Sequence, residues 1–266
     1  MNGMARKPRS TAVVFPFDLF GSGGTASGAQ LLGDALQEVI DDTKLETRDI
    51  RQQCFADSLR IIETDFDTIE EVSTWRETGR ELFQKYSGDF LLWLSGNHLG
   101  TLPVYDSLDA QTLVLQFDAH LDCYNLHDTT TTLCHGNFLR HIDGERPRIV
   151  NVGHRDLFLP AKEIGKYFDD AIPLGASLTD SVLNAASIWI DIDVDVFDPA
   201  VCPATRQPVP CGLSGQQVLA LLSQLDFGKV RGVSISEFDP ALDVKEASLN
   251  LLGRLLEWLL LRKYGG

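Results

Sequence analysis

Short apolar stretches alternate with amphipathic segments along most of this chain. The apolar stretches cover residues 11–17, 90–94, 112–117, 148–152, 187–192 and 230–236, and many of their residues are β-branched or aromatic, as in buried strands. Segments with apolar residues at helical spacing lie near 29–40, 65–87, 160–168, 176–184, 214–225 and 246–263. This alternation predicts an α/β fold: a parallel sheet with helices on both faces, in a single domain.

The chain of 266 residues is long enough to bury a large core as one domain over residues 1–266. We expect residues 1–10 to form a flexible N-terminus. No apolar stretch approaches the roughly 20 residues of a membrane span. The first apolar run contains Pro16 and stops at Asp18, which is unlike a signal peptide. The sequence therefore predicts a soluble, cytoplasmic protein that has no membrane partner.

The chain is strongly acidic, with a formal net charge of −15. Such a chain repels phosphate backbones, so nucleic acid is not expected as a partner, and an acidic surface favours cationic ligands. The five cysteines include no C-x-x-C pair. This pattern fits a reducing compartment and predicts neither a disulfide framework nor a structural zinc site.

Acidic side chains follow or interrupt two of the predicted strands, at the strand ends where such sheets bind ligands. The motif D-A-H-L-D at 118–122 follows strand 112–117, and in an extended chain its three polar side chains would share one face. The motif D-I-D-V-D at 191–195 places carboxylates at alternate positions of a strand that should be apolar. Burying these groups together is costly unless cations join them. The two motifs predict a metal site, whereas D-A-H-L-D alone could equally be a solvated loop.

Three further polar residues occupy positions that fit such a site. His98 follows strand 90–94 in G-N-H, Glu237 follows strand 230–236, and His135 opens a segment that could be helical. Taken singly, each is an ordinary strand-end or surface residue. A glycine-rich turn at 21–28 lacks the spacing of a nucleotide-binding fingerprint, so we expect its backbone to line a cavity.

Together these motifs resemble the arginase, agmatinase and formiminoglutamase family, the ureohydrolases. The resemblance runs in order through most of the chain, over G-N-H at 96–98, D-A-H-L-D at 118–122, H-G at 135–136, D-x-D-x-x-D-P at 193–199, P-A-T at 203–205, G-L at 212–213 and Glu237. It implies an arginase–deacetylase-like three-layer sandwich. It also implies a manganese-dependent enzyme that hydrolyses a linear amidine C–N bond and releases urea.

The resemblance further implies a cofactor of two Mn²⁺ ions per chain. One ion would be held by His98, Asp118, Asp122 and Asp193, and the other by His120, Asp118, Asp193 and Asp195, so that Asp118 and Asp193 bridge the pair. This mostly oxygen donor set suits Mn²⁺ better than the thiolate-rich sets of structural zinc. In the catalytic set, Asp122 would act as a metal ligand, His135 would pass a proton to the leaving amine, and Glu237 would hold the guanidinium.

The chain departs from the family pattern beside the metal ligands. Asn97 stands where the family usually has Asp, and Leu99 where Ser is common, which alters the surroundings of His98. Asp191 stands where a serine is usual, and we expect it to be a buried structural acid rather than a further ligand.

The expected substrate pocket departs further. Side chains that would read the α-amino and α-carboxylate groups of arginine are replaced, by Tyr124, Phe158, Arg206 and Gln207. Glu237 is kept. The chain therefore most resembles the peptide arginases, which convert arginine residues of ribosomally made peptides to ornithine. We expect an arginine-containing peptide as the substrate, bound by Glu237 together with the four replaced positions.

Other functions remain open at this point. The nearest alternative is an agmatinase, a guanidinobutyrase or a free-arginine arginase that acts on a small guanidine. A single-metal deacetylase of the same fold type would not need Asp122 and Asp195 with His98 as a second ligand set. A non-catalytic binding module would be expected to have lost ligands, and none is missing here. The oligomeric state is left open.

Overall fold

The computed structural model describes residues 10–46, 49–55, 58–125, 132–156 and 159–264. Its strands are β1 (Ser10–Phe15), β2 (Leu59–Glu63), β3 (Phe90–Ser95), β4 (Thr112–Phe117), β5 (Arg148–Val152), β6 (Asp170–Ile172), β7 (Ser187–Asp193) and β8 (Val230–Ser236). Within the described ranges they form one sheet, in the order β2-β1-β3-β8-β7-β4-β5-β6. Every neighbouring pair is parallel, which confirms the predicted α/β fold.

Helices connect the strands as a parallel sheet requires. They are α1 (Ala26–Leu45), α2 (Asp49–Cys54), α3 (Ile69–Tyr86), α4 (Leu102–Ser107), α5 (Ala161–Ile164), α6 (Asp180–Leu183), α7 (Gly215–Leu222) and α8 (Ala247–Tyr264). Capping boxes mark the starts of α3 and α7: Thr68 exchanges hydrogen bonds with Glu71, and Ser214 with Gln217. Among the described residues, no helix is both long and apolar enough to cross a bilayer.

The core has two layers, one on each face of the sheet. Successive residues of β1 alternate between them: Ala12 and Val14 pack in the layer that includes α1, α7 and α8. Val13 and Phe15 pack in the layer that includes α3 and α4. The central strands are therefore apolar on both faces, which is why the sequence predicts them clearly.

Two strands and two helices were not predicted. The strands are β2 and β6, which lie at the two edges of the sheet. The helices are α2 and α4, of six residues each. Ser10, which the sequence analysis placed in the N-terminal segment, is the first residue of β1, while residues 1–9 lie outside the described ranges.

Candidate metal centre

The topology of the sheet explains why distant motifs meet. Strands β3, β8, β7 and β4 are consecutive neighbours in the middle of the sheet, and all are parallel. Their carboxyl ends therefore lie side by side. His98 follows β3, Glu237 follows β8, Asp193 ends β7, and Asp118 follows β4.

The first cluster surrounds one ring nitrogen of His98. Its Nδ1 atom lies 2.7 Å from Asp122 Oδ2, 3.2 Å from Asp193 Oδ2 and 3.4 Å from Asp118 Oδ2. All four side chains are buried. Nδ1 makes no hydrogen bond to any described residue, although it is buried. A buried nitrogen that faces three carboxylates and makes no hydrogen bond to the described residues has the arrangement expected of a metal ligand.

The second cluster lies beside the first and shares Asp118 with it. His120 Nδ1 is 2.7 Å from Asp195 Oδ2 and 3.7 Å from Asp118 Oδ1. Asp118 thus turns one carboxylate oxygen toward each histidine. Two sets, His98 with Asp118 and Asp122, and Asp118 with His120 and Asp195, each bring their ligand atoms within 4.8 Å of one another. Asp193 faces His98 with Oδ2 and accepts the Asp195 backbone N–H with Oδ1, at 3.0 Å.

These side chains do not converge in the way that strand alternation predicted. Strand β4 ends at Phe117, and the D-A-H-L-D segment continues as turns in which Asp122 has a φ of 42°. Asp195 lies in a 3-10 helix, Val194–Val196, rather than on β7. Glu237 also has a positive φ, 67°. Such backbone conformations are unfavourable for side chains of this kind and persist where the surrounding structure holds them, as at functional sites.

The electrostatics of the clusters favour a cation. Burial, followed by repulsion from Asp195 and Asp122, raises the pKa of Asp118 to about 8. Burial and the charge of Asp195 raise the pKa of Asp193 well above its usual value. Burial alone would lower the pKa of His120, but the hydrogen bond and charge of Asp195 raise it to about 11. Divalent cations would replace these protons and relieve the repulsion, so the donor set fits a metal.

A cavity of about 210 Å³ opens beside the clusters. Its lining consists of Ser22, His120, Asp122, Tyr124, Cys134, His135, Gly136, Asp193, Asp195, Gln207 and Glu237. Ser22 belongs to the glycine-rich turn, which therefore lines a cavity, as the sequence analysis predicted. Asp122, His135 and Glu237, the three predicted catalytic residues, all reach this cavity.

His135 and Glu237 are in contact at the cavity wall. His135 Nδ1 lies 3.2 Å from Glu237 Oε1, and the same oxygen accepts the His98 backbone N–H at 2.9 Å. Burial alone would lower the pKa of His135, but the hydrogen bond and charge of Glu237 raise it above its usual value. The imidazole is thus held next to the carboxylate, which favours its protonated form.

The predicted pocket residues occupy different places. Tyr124 and Gln207 line the cavity; the Tyr124 hydroxyl accepts the Leu121 backbone N–H at 3.0 Å. Gln207 Nε2 lies 3.4 Å from His135 Nε2. Arg206 instead pairs with Asp239, with Nε 2.5 Å from Oδ2, and is not among the lining residues. Phe158 lies outside the described residues.

Two buried polar residues that support the ligands were missed in the sequence. Gln116 Nε2 donates to Asp118 Oδ2 at 3.3 Å, and Asn151 Nδ2 donates to the backbone carbonyl of His120 at 3.2 Å. Both side chains are fully buried, on β4 and β5 respectively. The signal that could have revealed them was a polar residue near the end of an otherwise apolar strand.

Comparison with known proteins points to one family. The Arginase family model matches residues 11–261. Guanidinopropionase of Pseudomonas aeruginosa is 27% identical in an alignment that covers 93% of this chain and 73% of that protein. N(omega)-hydroxy-L-arginine amidinohydrolase of Streptomyces lavendulae is 32% identical over 183 residues, which cover 62% of this chain and 66% of that protein.

The fold comparison agrees. The crystal structure of agmatine ureohydrolase of Thermoplasma volcanium superposes with a TM-score of 0.73 at 19% identity, and the match covers 97% of this chain and 90% of that one. At this identity the likeness concerns the fold. Since the family model spans nearly the whole sheet and both clusters, the chain belongs to the Arginase family, the ureohydrolases.

Proposed function

We propose that this chain is a manganese-dependent hydrolase that cleaves the guanidino group of arginine within a peptide, releasing urea and leaving ornithine. The observation that carries the hydrolase proposal is the pair of buried clusters that share Asp118 beside a cavity lined by His135 and Glu237. Membership of the Arginase family supports it.

The proposed cofactor is two Mn²⁺ ions, which suit a donor set of carboxylate oxygens and two imidazoles. The ligands would be His98, Asp122, His120 and Asp195, with Asp118 and Asp193 shared. When bound, such an ion pair activates water for attack on the guanidinium carbon and stabilises the charge that develops there. The remaining work falls to the residues of the chain.

Glu237 and His135 divide that work. Because Glu237 accepts the His98 backbone N–H, its carboxylate is fixed at the cavity wall, where it can accept charge-assisted hydrogen bonds from a guanidinium. Glu237 raises the pKa of His135 above its usual value, so this imidazole holds a proton more readily than a free one and can pass it to the amine that leaves. Asp122 contributes as a metal ligand on the cavity side of His98.

The peptide part of the proposal is supported by the charges of the cavity. Of the described residues that line it, none is a lysine or an arginine, and Arg206 is paired with Asp239. A free arginine held by Glu237 through its guanidinium would bring its α-carboxylate into the same acidic cavity, where no described lysine or arginine side chain is available to pair with it, which is unfavourable. In a peptide the α-groups are neutral amides, which Tyr124 and Gln207 can meet by hydrogen bonding or packing.

A small guanidine without a carboxylate, such as agmatine, is the second candidate. The absence of a lysine or arginine from the described cavity lining admits it equally well. The relatives from Pseudomonas and Streptomyces are also named for small guanidino compounds. The two candidates differ in whether a polypeptide must pass the mouth of the cavity.

The test is kcat/KM for free arginine, agmatine, 3-guanidinopropionate and an arginine peptide blocked at both termini, followed by urea release and peptide mass. His135→Ala serves as the inactive control. We expect the blocked peptide to be the best substrate. Equal or higher efficiency on a small guanidine would contradict the peptide proposal, and no urea from any substrate would contradict the hydrolase proposal.

A further inference from the structure

The two histidines of the metal centre differ in what holds their second ring nitrogen. His98 Nε2 lies 2.9 Å from Oδ2 of Asp191, a fully buried carboxylate on β7. His120 Nε2 lies 3.5 Å from Oδ2 of Asp156, whose side chain is 41% exposed. Only His98 therefore has a buried, charged partner on the side away from the carboxylates of its cluster.

Asp191 is surrounded by hydrogen-bond donors. The Tyr105 hydroxyl donates to its Oδ2 at 2.6 Å, and the Ser234 hydroxyl donates to its Oδ1. Ser234 in turn accepts from Trp189 Nε1 at 3.0 Å, and all these side chains are fully buried. A buried carboxylate persists when its oxygens accept from fixed donors. Asp191 therefore faces His98 as a rigid acceptor.

This arrangement determines which nitrogen of His98 carries its proton. The Asp191 carboxylate accepts from Nε2, so Nε2 keeps a proton and Nδ1 is the nitrogen whose lone pair an ion would bind. Nδ1 is the atom that makes no hydrogen bond and faces Asp122, Asp193 and Asp118. A carboxylate that accepts the outer N–H of a ligating histidine fixes its ring and strengthens it as a donor.

We propose that Asp191 is a positioning residue that fixes the ring and the tautomer of His98. It thereby strengthens the binding of the metal ion on the His98 side and not that of the other ion. The inference rests on the proposed metal centre. Asn97, the residue before His98, is uncharged and donates to the Leu19 carbonyl at 3.0 Å. The carboxylate that faces the outer ring nitrogen of His98 therefore comes from the interior of β7 and not from the turn after β3.

The experiment is a Mn²⁺ titration of the metal-stripped full chain, with free Mn²⁺ measured by electron paramagnetic resonance. Asp191→Asn keeps the size of the side chain but replaces the charged acceptor. We expect the affinity for one of the two Mn²⁺ ions to fall about 10- to 100-fold and the affinity for the other to stay nearly unchanged. At a free Mn²⁺ concentration that fills both sites of the unmodified chain, the variant should give the spectrum of isolated ions rather than of a coupled pair.

A second variant, Asp195→Ala, identifies which of the two ions is bound more weakly. Asp195→Ala removes a ligand of the His120-side ion only, so the ion that remains tightly bound is on the His98 side. In the double variant Asp195→Ala/Asp191→Asn, the affinity for this remaining ion should fall by the same factor. Asp191→Ser, which offers a neutral hydroxyl in place of the carboxylate, should likewise lower the affinity for this ion.

Asp106→Asn is the matched control. The Asp106 side chain is also fully buried, and its partners among the described residues, Arg76, Arg80 and Asp143, belong to neither cluster. This variant should lower Tm without changing either affinity for Mn²⁺. Unchanged affinities in Asp191→Asn, or equal weakening of both ions, would overturn the inference. Failure of the unmodified chain to bind Mn²⁺ would instead overturn the proposed centre, and the inference with it.

Discussion

Asn97 connects the turn that carries His98 to the rim of the cavity. Its Nδ2 donates to the carbonyl of Leu19 at 3.0 Å, and the next carbonyl along, that of Phe20, accepts the His135 backbone N–H at 3.2 Å. Gly21 packs so closely that a Cβ atom there would lie 2.8 Å from Cγ of His135 and 2.7 Å from Nδ2 of Asn97. The segment 19–21 thus holds His135 against Glu237.

Asn97→Asp would restore the residue usual in the family, yet we expect it to lower kcat/KM. A carboxylate cannot donate to the Leu19 carbonyl, so two acceptors would face each other in a partly buried contact. Leaving such a group unsatisfied costs about 1–3 kcal/mol. If this cost is borne by the position of His135, kcat/KM should fall roughly 5- to 100-fold. Urea assays with the Mn²⁺ content measured in parallel would test this. Higher activity in the variant would show that the hydrogen bond from Asn97 to Leu19 does not help to position His135.

His135→Ala should lower turnover by about 10²- to 10⁴-fold, because a general acid would be lost. Its Mn²⁺ content should stay unchanged, since His135 contacts Glu237 rather than either cluster. Steady-state kinetics and metal analysis of the same preparation give both readouts. A loss of Mn²⁺ as steep as the loss of activity would make His135 a ligand.

Among the secondary-structure elements, burial on both faces separates the strands that the sequence predicts from those it does not. The six central strands read as apolar runs, whereas β2 carries Arg60 and Glu63 and is only partly buried. Edge strand β6 has three residues and begins with Asp170. A short strand that is paired along one side has little apolar pattern to detect. Edge strands are therefore the natural limit of pattern-based prediction in this fold.

The candidate site shows the same division between pattern and tertiary geometry. Which residues would converge was predictable, because parallel strands place their carboxyl ends together. How they converge was not, since Asp122 is reached through a positive φ and Asp195 through a 3-10 helix. Nor could the sequence reveal that Arg206 would pair with the buried Asp239 instead of lining the cavity. Long-range pairings of this kind leave no local pattern.

Helix α1 packs directly on the segment that carries Glu237. A Cβ atom at Gly28 would lie 1.8 Å from the backbone carbonyl oxygen of Phe238, which cannot move like a side-chain end. Gly28→Ala must therefore shift α1 or residues 237–239. We expect a loss of about 1–3 kcal/mol in the free energy of unfolding, as for other overpacked sites, together with weaker activity through Glu237.

Gly23→Ala is the control for this helix contact, because nothing lies within 4 Å of a Cβ atom there. Thermal unfolding should show Tm lowered for Gly28→Ala, by about 2–4 °C for each kcal/mol, and nearly unchanged for Gly23→Ala. Equal Tm values for the two variants would mean that the start of α1 can move away from residue 238 without cost.

Protonation of the metal centre links the stability of the whole molecule to pH. Without metal, the folded chain holds protons that the unfolded chain releases. The pKa of Asp118 rises from 3.8 to about 8 through burial and its acidic neighbours, and Asp195 raises that of His120 from 6.5 to about 11 against the effect of burial. The lowered pKa of Asp195 contributes stability above pH 3.8, the usual value for Asp. That contribution is lost only as pH falls below this value.

Stability of the metal-stripped protein should therefore fall between pH 6 and 9. Asp118 loses its stabilising proton as pH rises toward about 8, and the contribution of protonated His120 is lost progressively above the unfolded pKa of 6.5. Bound Mn²⁺ should reverse this trend, because metal displaces those protons and binds more tightly as they become easier to remove. Thermal unfolding with chelator and with a fixed excess of Mn²⁺, at several pH values, gives both curves; the Tm gain from Mn²⁺ should grow with pH. Asp118→Asn should flatten the chelator curve because it removes one of the linked protons. A Tm of the stripped protein that rises with pH, or a gain from Mn²⁺ that does not depend on pH, would show that these buried groups are not the ones that bind the ions.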